Sequence, residues 1–465
     1  MLEFAAGALE LDQKEGIARY GPATLGENRH PSEIRLGFVG SGESVASARD
    51  WFERAARGFD GEVIVNRRTK KPQKRLQDFP GSMPDRGFFS SIVAADHLID
   101  IISVHDMDAL KKVRNPEKRF DEAVSLIGAR VKLLNQQDDQ PTVVILALPD
   151  AFLPLASKAK YYDGLRGLVY RDFRRAIKAE VMRHKVVTQI LLQPVSEAEE
   201  GARNVDPASK VAWNLFTSLY FKAGGVPWRP LGLRPDTCYI GISFHRPLGD
   251  ANPLMRSSVA QAFDEDGTGL VLRGPDFTWD EERDGKSAHL TADASKALLE
   301  LVLKRYKKET GRMPGRVVVH KTSRFLPAER EGMKDALQSV PQFDLVAVTP
   351  TDEIRLVRTG QYPPLRGTLF SVGTTEYVYT TGYIKSLKAY PHGHVPRALQ
   401  IADHHGDSDL ASIAKELLIL TRMNWNSAGF AGTFPITIRF SRQVGDIMRE
   451  IPRDREPEPQ FKYYT

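Results

Sequence analysis

RDFRRAIKAEVMRHKVVTQILLQ, residues Arg171–Gln193, decides how this chain is read. Asp172–Arg183 has helical character, and Val186–Gln193 is a short, β-branched, apolar run of the kind that becomes a strand buried on both faces. A helix feeding directly into such a strand is one repeat of an α/β architecture. Working outward, Ile34–Val39, Val63–Asn66, Ile99–His105 and Thr142–Leu148 are further strand segments, with helical patterns at Val45–Gly58 and Phe120–Asn135 between them. The alternation predicts a doubly wound, Rossmann-like domain.

Gly224–Pro235 (GGVPWRPLGLRP) is rich in glycine and proline and marks the domain boundary, giving domains 1–229 and 230–465. Beyond it the pattern changes. Strands are predicted at Cys238–His245, Gly269–Arg273, Arg316–His320, Leu345–Thr349, Gly367–Ser371 and Glu376–Thr380, several close enough for hairpins. A helix is expected over Ala294–Thr310 with Asp293 as its N-cap, a second over Asp409–Thr421, and a late strand at Pro435–Phe440. This order is a mixed sheet followed by packing helices, compatible with a ribonuclease H-like fold. The tail Arg449–Lys462 is polar and proline-rich enough to be irregular.

Composition narrows the function classes. At 465 residues the chain is too long for one ordinary core, and 41% apolar with 27% charged residues is a globular profile. No apolar run is long enough to span a membrane, and the first 25 residues carry Glu3, Glu10 and Asp12 instead of the basic start and apolar block of a secretory signal. One cysteine, Cys238, excludes a disulfide scaffold and a cysteine-rich metal site. A cytoplasmic protein is expected. The net charge of +6 is mild, but its distribution is uneven: Asp163–Lys185 holds Arg166, Arg171, Arg174, Arg175, Lys178, Arg183 and Lys185 against Asp163, Asp172 and Glu180. The block Lys304–Lys308 reads as a solvated helix face.

Arg174 and Lys178 are four residues apart and emerge on one helix face. Gln189 lies on the strand that follows, and the next helix, Ser209–Ala223, places Asn214, Ser218 and Lys222 on one stripe. Three cations and two amides so arranged suit a terminal phosphate: arginine offers a fork, lysine a point charge, and amides orient the oxygens. A cation pair at this spacing is also common on solvated helices.

The set Arg174-x3-Lys178, Gln189, Asn214 and Lys222, followed by GGVPW, resembles the pocket in the MID domain of Argonaute proteins that grips the 5′ end of a guide strand. Arg174 departs from the family, where tyrosine or histidine is more usual. YIGISFH (Tyr239–His245), RVVVHKTSRF (Arg316–Phe325), EYVYTTGY (Glu376–Tyr383), LTRMNWNS (Leu420–Ser427) and FPITIRFSRQVG (Phe434–Gly445) resemble successive landmarks of a PIWI domain. LEFAAG, RYGPAT, IRLGFVG and FPGS, within Leu2–Ser82, resemble the opening of the short prokaryotic Argonautes, which consist of MID and PIWI alone. The resemblance implies a Rossmann-like MID domain followed by a ribonuclease H-like PIWI domain. It also implies a 5′-phosphorylated guide RNA, a complementary single-stranded DNA target, and Mg²⁺ at the guide's 5′ end.

Slicing by a PIWI domain is two-metal chemistry and needs carboxylate oxygens. In this sequence the matching positions are Ser243, Lys321 and Arg442, with Asp446 nearby. Lys321 is expected to place a cation where a metal belongs, so no slicing is predicted. Arg324, His394 and Arg397 are candidates for backbone contacts to guide or target, with surface roles the alternative. DHHGDSD (Asp403–Asp409) packs potential ligands together but reads as a polar loop, as does HGH at His392–His394. The resemblance further implies a heterodimeric partner carrying an APAZ region fused to a TIR, sirtuin-like or nuclease effector. Such a partner would be switched on by recognition of plasmid or phage DNA, with oligomerisation on activation, in antiviral defence that kills or arrests the invaded cell. Two alternatives stay open: a metal-dependent nuclease using Asp403, Asp407, Asp409 and Asp446, and a stand-alone nucleic-acid-binding repressor.

Overall fold

A computed structural model describes residues 1–65, 72–163, 167–198, 205–248, 254–262, 269–360, 362–390, 395–452 and 454–465. Asn66, Arg166 and the HGH stretch with His394 lie outside the described residues. The chain divides into two compact units, the first Met1–Arg229 with Trp425–Ala428 and Lys462–Thr465, the second Pro230–Asn424 with Gly429–Phe461.

The first unit is built on a parallel sheet. Its strands are β1 (Glu33–Gly40), β2 (Ser91–Val93), β3 (Ile99–Ile101), β4 (Val143–Leu148) and, later in the chain, the last strand at Thr188–Leu192. All six residues of β4 are buried, as a strand covered by helices on both faces requires. One cover is α1 (Gly42–Arg57), capped by Ser41; another is α2 (Pro116–Leu134), started by Asn115 and a first-turn proline. Phe120, Ala123, Ile127, Val131 and Leu134 of α2 recur at helical spacing and face the core. The strand expected over Ile99–His105 stops at Ile101, because Ser103 and Asp106 form a capping box that starts a helix at Val104. Among the described residues, Val63–Val65 pairs with Pro72–Arg75 in a separate two-stranded ladder.

A hairpin of β5 (Lys158–Asp163) and β6 (Gly167–Asp172) follows. The Asp172 carboxylate then accepts from the Arg175 N–H and caps α3 (Phe173–Val181). A single 3₁₀ turn and Lys185 in the left-handed region turn the chain into β7 (Thr188–Leu192). The sheet order is β7–β4–β1–β2, with β3 also on β1 and every pairing parallel. The predicted helix over Ser209–Ala223 is α4 (Ala208–Lys222).

The second unit carries an eight-stranded mixed sheet. Its strands are β8 (Thr237–His245), β9 (Leu254–Ala262), β10 (Leu270–Thr278), β11 (Arg316–Lys321), β12 (Gln342–Thr351), β13 (Leu369–Val372), β14 (Thr375–Val378) and β15 (Ala398–Gly406), in the order β10–β9–β8–β11–β12–β15–β14–β13. The pairs β8–β11 and β11–β12 are parallel and the rest antiparallel. Helices α5 (Ala292–Thr310) and α6 (Pro327–Ala336) close one face over Cys238, Ile240, Ile242, Val317 and Val319. Thr291, not Asp293, caps α5, and Asp293 sits in the first turn. Asp409 caps α7 (Leu410–Leu420).

The predicted late strand at Pro435–Phe440 is instead the start of α8 (Ile436–Met448). The alternation in ITIRF mimics a strand, but the buried positions Thr437, Phe440, Ser441, Val444 and Met448 follow a helical period. Helix α8 packs on the other sheet face from α5 and α6. There Gly241 is required: a Cβ at that position would come 2.0 Å from the Thr437 carbonyl oxygen. Asp403–Gly406, expected in a loop, end β15. Among the described residues no helix is long and apolar enough to cross a membrane.

Candidate functional site

The first unit holds a cavity of about 720 Å³ lined by Arg174 of α3, Gln189, Ile190 and Leu192 of β7, and Asn214, Leu215 and Ser218 of α4. Asn426 and Thr465, from distant parts of the sequence, complete the wall. The local fold explains the convergence. Parallel β7 lies between the two helices in sequence, and residues four apart on each helix present one face to it.

Lys178 and Lys222 are both buried, at 3% and 2% exposure. Lys178 Nζ donates to the Thr188 carbonyl at 2.6 Å and also to the main-chain oxygen of Thr465. Lys222 Nζ donates to the same Thr188 carbonyl at 3.2 Å and to Gln189 Oε1 at 2.6 Å. Among the described residues neither lysine has a side-chain carboxylate partner. Burial, then the neighbouring Lys222 and Arg174 charges, holds the Lys178 ammonium well below the usual lysine range. Burial and Arg174 push Lys222 down to about 7. Arg174 itself is exposed. Asn214 Oδ1 accepts from the Ala428 N–H at 3.0 Å, which ties the cavity wall to the Trp425–Ala428 segment.

The structure therefore brings all five predicted pocket residues together: Lys222 bonds Gln189, Lys178 and Lys222 share the Thr188 carbonyl, and Arg174, Gln189 and Asn214 line the cavity. Asn426 and Thr465 were not predicted, because a separation of more than two hundred residues leaves no local spacing to read. The side chains of this cavity alone offer a magnesium ion no pair of carboxylates. The pocket is cationic, and the Gln189 and Thr465 oxygens already accept from lysines.

The positions matched to catalytic acids lie in the second unit. Ser243 on β8 faces α8 and donates through its hydroxyl to the Ser441 carbonyl at 2.7 Å. His320 of β11 projects from the same face; its Nδ1 lies 3.0 Å from Thr437 Oγ1, and burial pushes it down to about 3, so the ring is neutral. Lys321 does not stand beside Ser243. One residue along a strand reverses the face, and Lys321 points to the opposite side, where Nζ donates to Glu329 Oε2 at 2.5 Å and lies over the Phe325 ring. Glu329 is fully buried and also accepts from the main-chain N–H groups of Leu290 and Leu326. The expectation that Lys321 occupies a metal position is corrected: it is half of a buried ion pair in the core beneath α5 and α6. Arg442 is exposed on α8, over the Phe434 ring at 4.7 Å.

Arg324 is exposed, and Arg397 is paired with Asp352 at 3.0 Å. The acids of DHHGDSD serve the fold. Asp403 accepts from the Phe325 N–H, Asp407 from the Phe343 N–H, and Asp409 caps α7. His404 Nε2 lies 2.9 Å from Asp344 Oδ1. Among the described residues no group of three or more His, Cys, Asp or Glu is placed to hold a metal.

This pairing of a parallel α/β unit with a ribonuclease H-like unit is the fold of the MID and PIWI domains of Argonaute and Piwi proteins. Clostridium butyricum Argonaute bound to a guide DNA and a 19-mer target DNA is similar over 97% of this chain and 52% of its own, with a TM-score of 0.65 and 16% identity. Drosophila Piwi is similar over 99% of this chain and 55% of its own, with a TM-score of 0.59 and 13% identity. A. aeolicus Argonaute is similar over 98% and 53%, with a TM-score of 0.57 and 13% identity. The chain thus spans about half the length of the structures it matches. No protein-family model matches the sequence, and no curated protein matches it.

Proposed function

We propose that this chain is a non-slicing short prokaryotic Argonaute that holds the 5′-phosphate of a guide RNA in the cavity of its first unit. The observation that carries the reading is the pair of buried lysines, Lys178 and Lys222, sharing the Thr188 carbonyl without a side-chain carboxylate. Two buried lysines beside Arg174 gather more positive charge than the oxygens around them balance, and a phosphate dianion offsets it. Arg174 at the mouth adds a fork for a second oxygen. Magnesium belongs to the proposal only as an ion arriving with the nucleic acid, whose phosphate oxygens supply ligands that the side chains do not.

The guide then pairs with a complementary single-stranded DNA, and base pairing provides the sequence choice while the protein holds backbone charge. The fold of neighbours such as the Clostridium butyricum Argonaute, bound to guide and target DNA, supports this part. The absence of slicing rests on Ser243 and the neutral His320 on the face where acidic ligands would be needed. An outcome in the cell requires a partner, proposed as an APAZ-containing effector with a TIR, sirtuin-like or nuclease activity. Target binding activates it by favouring an active assembly, in a cytoplasmic defence against plasmid or phage DNA.

The test is direct titration of the purified chain with two RNAs of one sequence, one 5′-phosphorylated and one 5′-hydroxyl. The phosphorylated RNA should bind more tightly by about tenfold or more, and Lys178→Ala with Lys222→Ala should abolish the difference. Equal affinity for the two RNAs would refute the pocket assignment.

A further inference from the structure

The ribbon of β5 and β6 has two unlike faces. Cross-strand pairing sets Lys158 against Asp172, Lys160 against Tyr170 and Tyr162 against Leu168 on one face. The other face, with Ala159 and Tyr161 opposite Arg171 and Val169, is the anchored one. Ala159 and Tyr161 pack on the core of the first unit, and the Arg171 guanidinium lies 4.6 Å over the Phe120 ring and pairs with Asp121. The first face is open to solvent, with Tyr162 at 79% exposure, Tyr170 at 57% and Leu168 at 50%. These two tyrosines are the most exposed aromatic side chains among the described residues.

Folding accounts for the anchored face but not for bulky rings on the open one, where an ordinary surface carries polar groups. Tyr162 and Tyr170 are diagonal neighbours across the ribbon, which sets them about 7–8 Å apart. Lys158 and Lys160 are exposed on the same face, and Lys160 Nζ lies 5.3 Å from the centre of the Tyr170 ring. The acid of this face, Asp172, is engaged at the ribbon's end, where its carboxylate accepts the Arg175 N–H and caps α3. The face therefore offers two ammonium groups and two flat rings.

We infer that this face binds single-stranded nucleic acid, with a base on each tyrosine ring and backbone phosphates on Lys158 and Lys160. Charge and shape select the occupant together. An acidic peptide matches the lysines but leaves the rings idle, and an apolar peptide does the reverse. A strand of nucleotides matches both, because every base has a π-face and every linkage a negative charge. The strand must be unpaired, since a duplex keeps its base faces within its own stack. The ribbon also runs directly into α3, where Arg174, two residues past Asp172, lines the cavity. The inference stands on the ribbon's own face and does not require a phosphate in the cavity.

The test is anisotropy titration of the full chain with a 5′-hydroxyl deoxythymidine oligomer of about 12 residues and an abasic oligomer of the same length. The base-bearing strand should bind more tightly by about tenfold or more, and Tyr162→Ala with Tyr170→Ala should remove that difference while thermal unfolding is unchanged. Tyr162→Phe with Tyr170→Phe keeps the rings and should keep the difference. Lys178→Ala with Lys222→Ala should keep it as well, so this inference and the cavity assignment fail separately. Lys158→Ala with Lys160→Ala should weaken both oligomers and flatten the salt dependence. Equal binding of the two oligomers, or a preference for bases that survives the tyrosine-to-alanine pair, would overturn the inference. Tyrosine-dependent binding to phosphatidylserine vesicles in place of the oligomers would overturn it in favour of a lipid surface, and tyrosine-dependent self-association in favour of a second copy.

Discussion

Lys222 gives the pocket a pH signature that a solvated lysine would not. Burial and Arg174 hold it near 7 in the empty protein, so keeping it charged costs up to about 5 kcal/mol relative to a free lysine. A phosphate dianion beside the ammonium returns it toward its ordinary value, so binding above neutrality takes up a proton. The sign follows. As pH rises through about 7, Lys222 in the unliganded pocket loses its charge and affinity for the phosphorylated end must fall. With Lys222 alone titrating, the association constant should drop about eightfold between pH 7.5 and 8.5. The phosphate's own second ionisation, near 6, is complete before this window and cannot produce the fall. Lys178 is depressed as well and adjoins Lys222 and Arg174, so measured uptake should be at least one proton. Calorimetry in buffers of different ionisation enthalpy gives that number directly. Lys222→Arg, which stays charged throughout, should remove the Lys222 share of the slope and leave what Lys178 contributes. A flat wild-type profile, or the same slope in Lys222→Arg, would refute the argument.

Other expectations concern the second unit. Lys321→Met leaves Glu329 charged and buried without its ammonium and should destabilise the protein by about 3–5 kcal/mol in denaturant unfolding, while leaving the preference for a 5′-phosphate unchanged. Gly241→Ala forces a methyl against the Thr437 carbonyl and should cost several kcal/mol, roughly the range of an overpacked core site, read as an earlier thermal transition. Asp344, bonded to His404, Ser408 and Arg316, is held below the usual carboxylate range. Its contribution is therefore complete above about pH 4 and is lost on acidification; Asp344→Asn should weaken the acid dependence of unfolding. Ser243→Asp alone should yield no target cleavage with Mg²⁺, measured on end-labelled DNA, since one new carboxylate faces a neutral His320.

Much of the fold was legible because it is written in local periodicity. VVILAL at Val143–Leu148 could only be a strand covered on both sides, and the Phe120–Leu134 stripe could only be a helix against it. The misreadings came where a local pattern has two solutions. ITIRF alternates like a strand for five residues, and the helix appears only when Val444 and Met448 extend the burial. Ile99–His105 looked continuous because the Ser103–Asp106 capping box is visible only as a start signal. In the site, spacing on α3 and α4 exposed Lys178 and Lys222, whereas Asn426 and Thr465 reach the cavity through tertiary folding. For Lys321 the sequence supplied the neighbourhood but not the face, and a shift of one residue on a strand reverses it.

Among the described residues, buried cations separate structure from function by their counter-ions: Arg316 is matched by Asp344 and Glu416, and Arg256 by Asp276. Lys321 is matched by Glu329, with further main-chain donors on the carboxylate, and so is complete without any ligand. Among the described residues, Lys178 and Lys222 meet a shared carbonyl, an amide oxygen and one more main-chain oxygen, and no side-chain carboxylate. No side-chain carboxylate is among those acceptors, and burial together with the nearby Arg174 shifts both lysines downward. A fold does not retain such a pair for stability, since apolar side chains of the same volume would serve better. The pair is intelligible as a site whose missing half arrives from outside. Any anion that supplies it must stabilise the first unit in proportion to its occupancy, so a 5′-phosphorylated strand should raise the unfolding temperature where its 5′-hydroxyl counterpart does not.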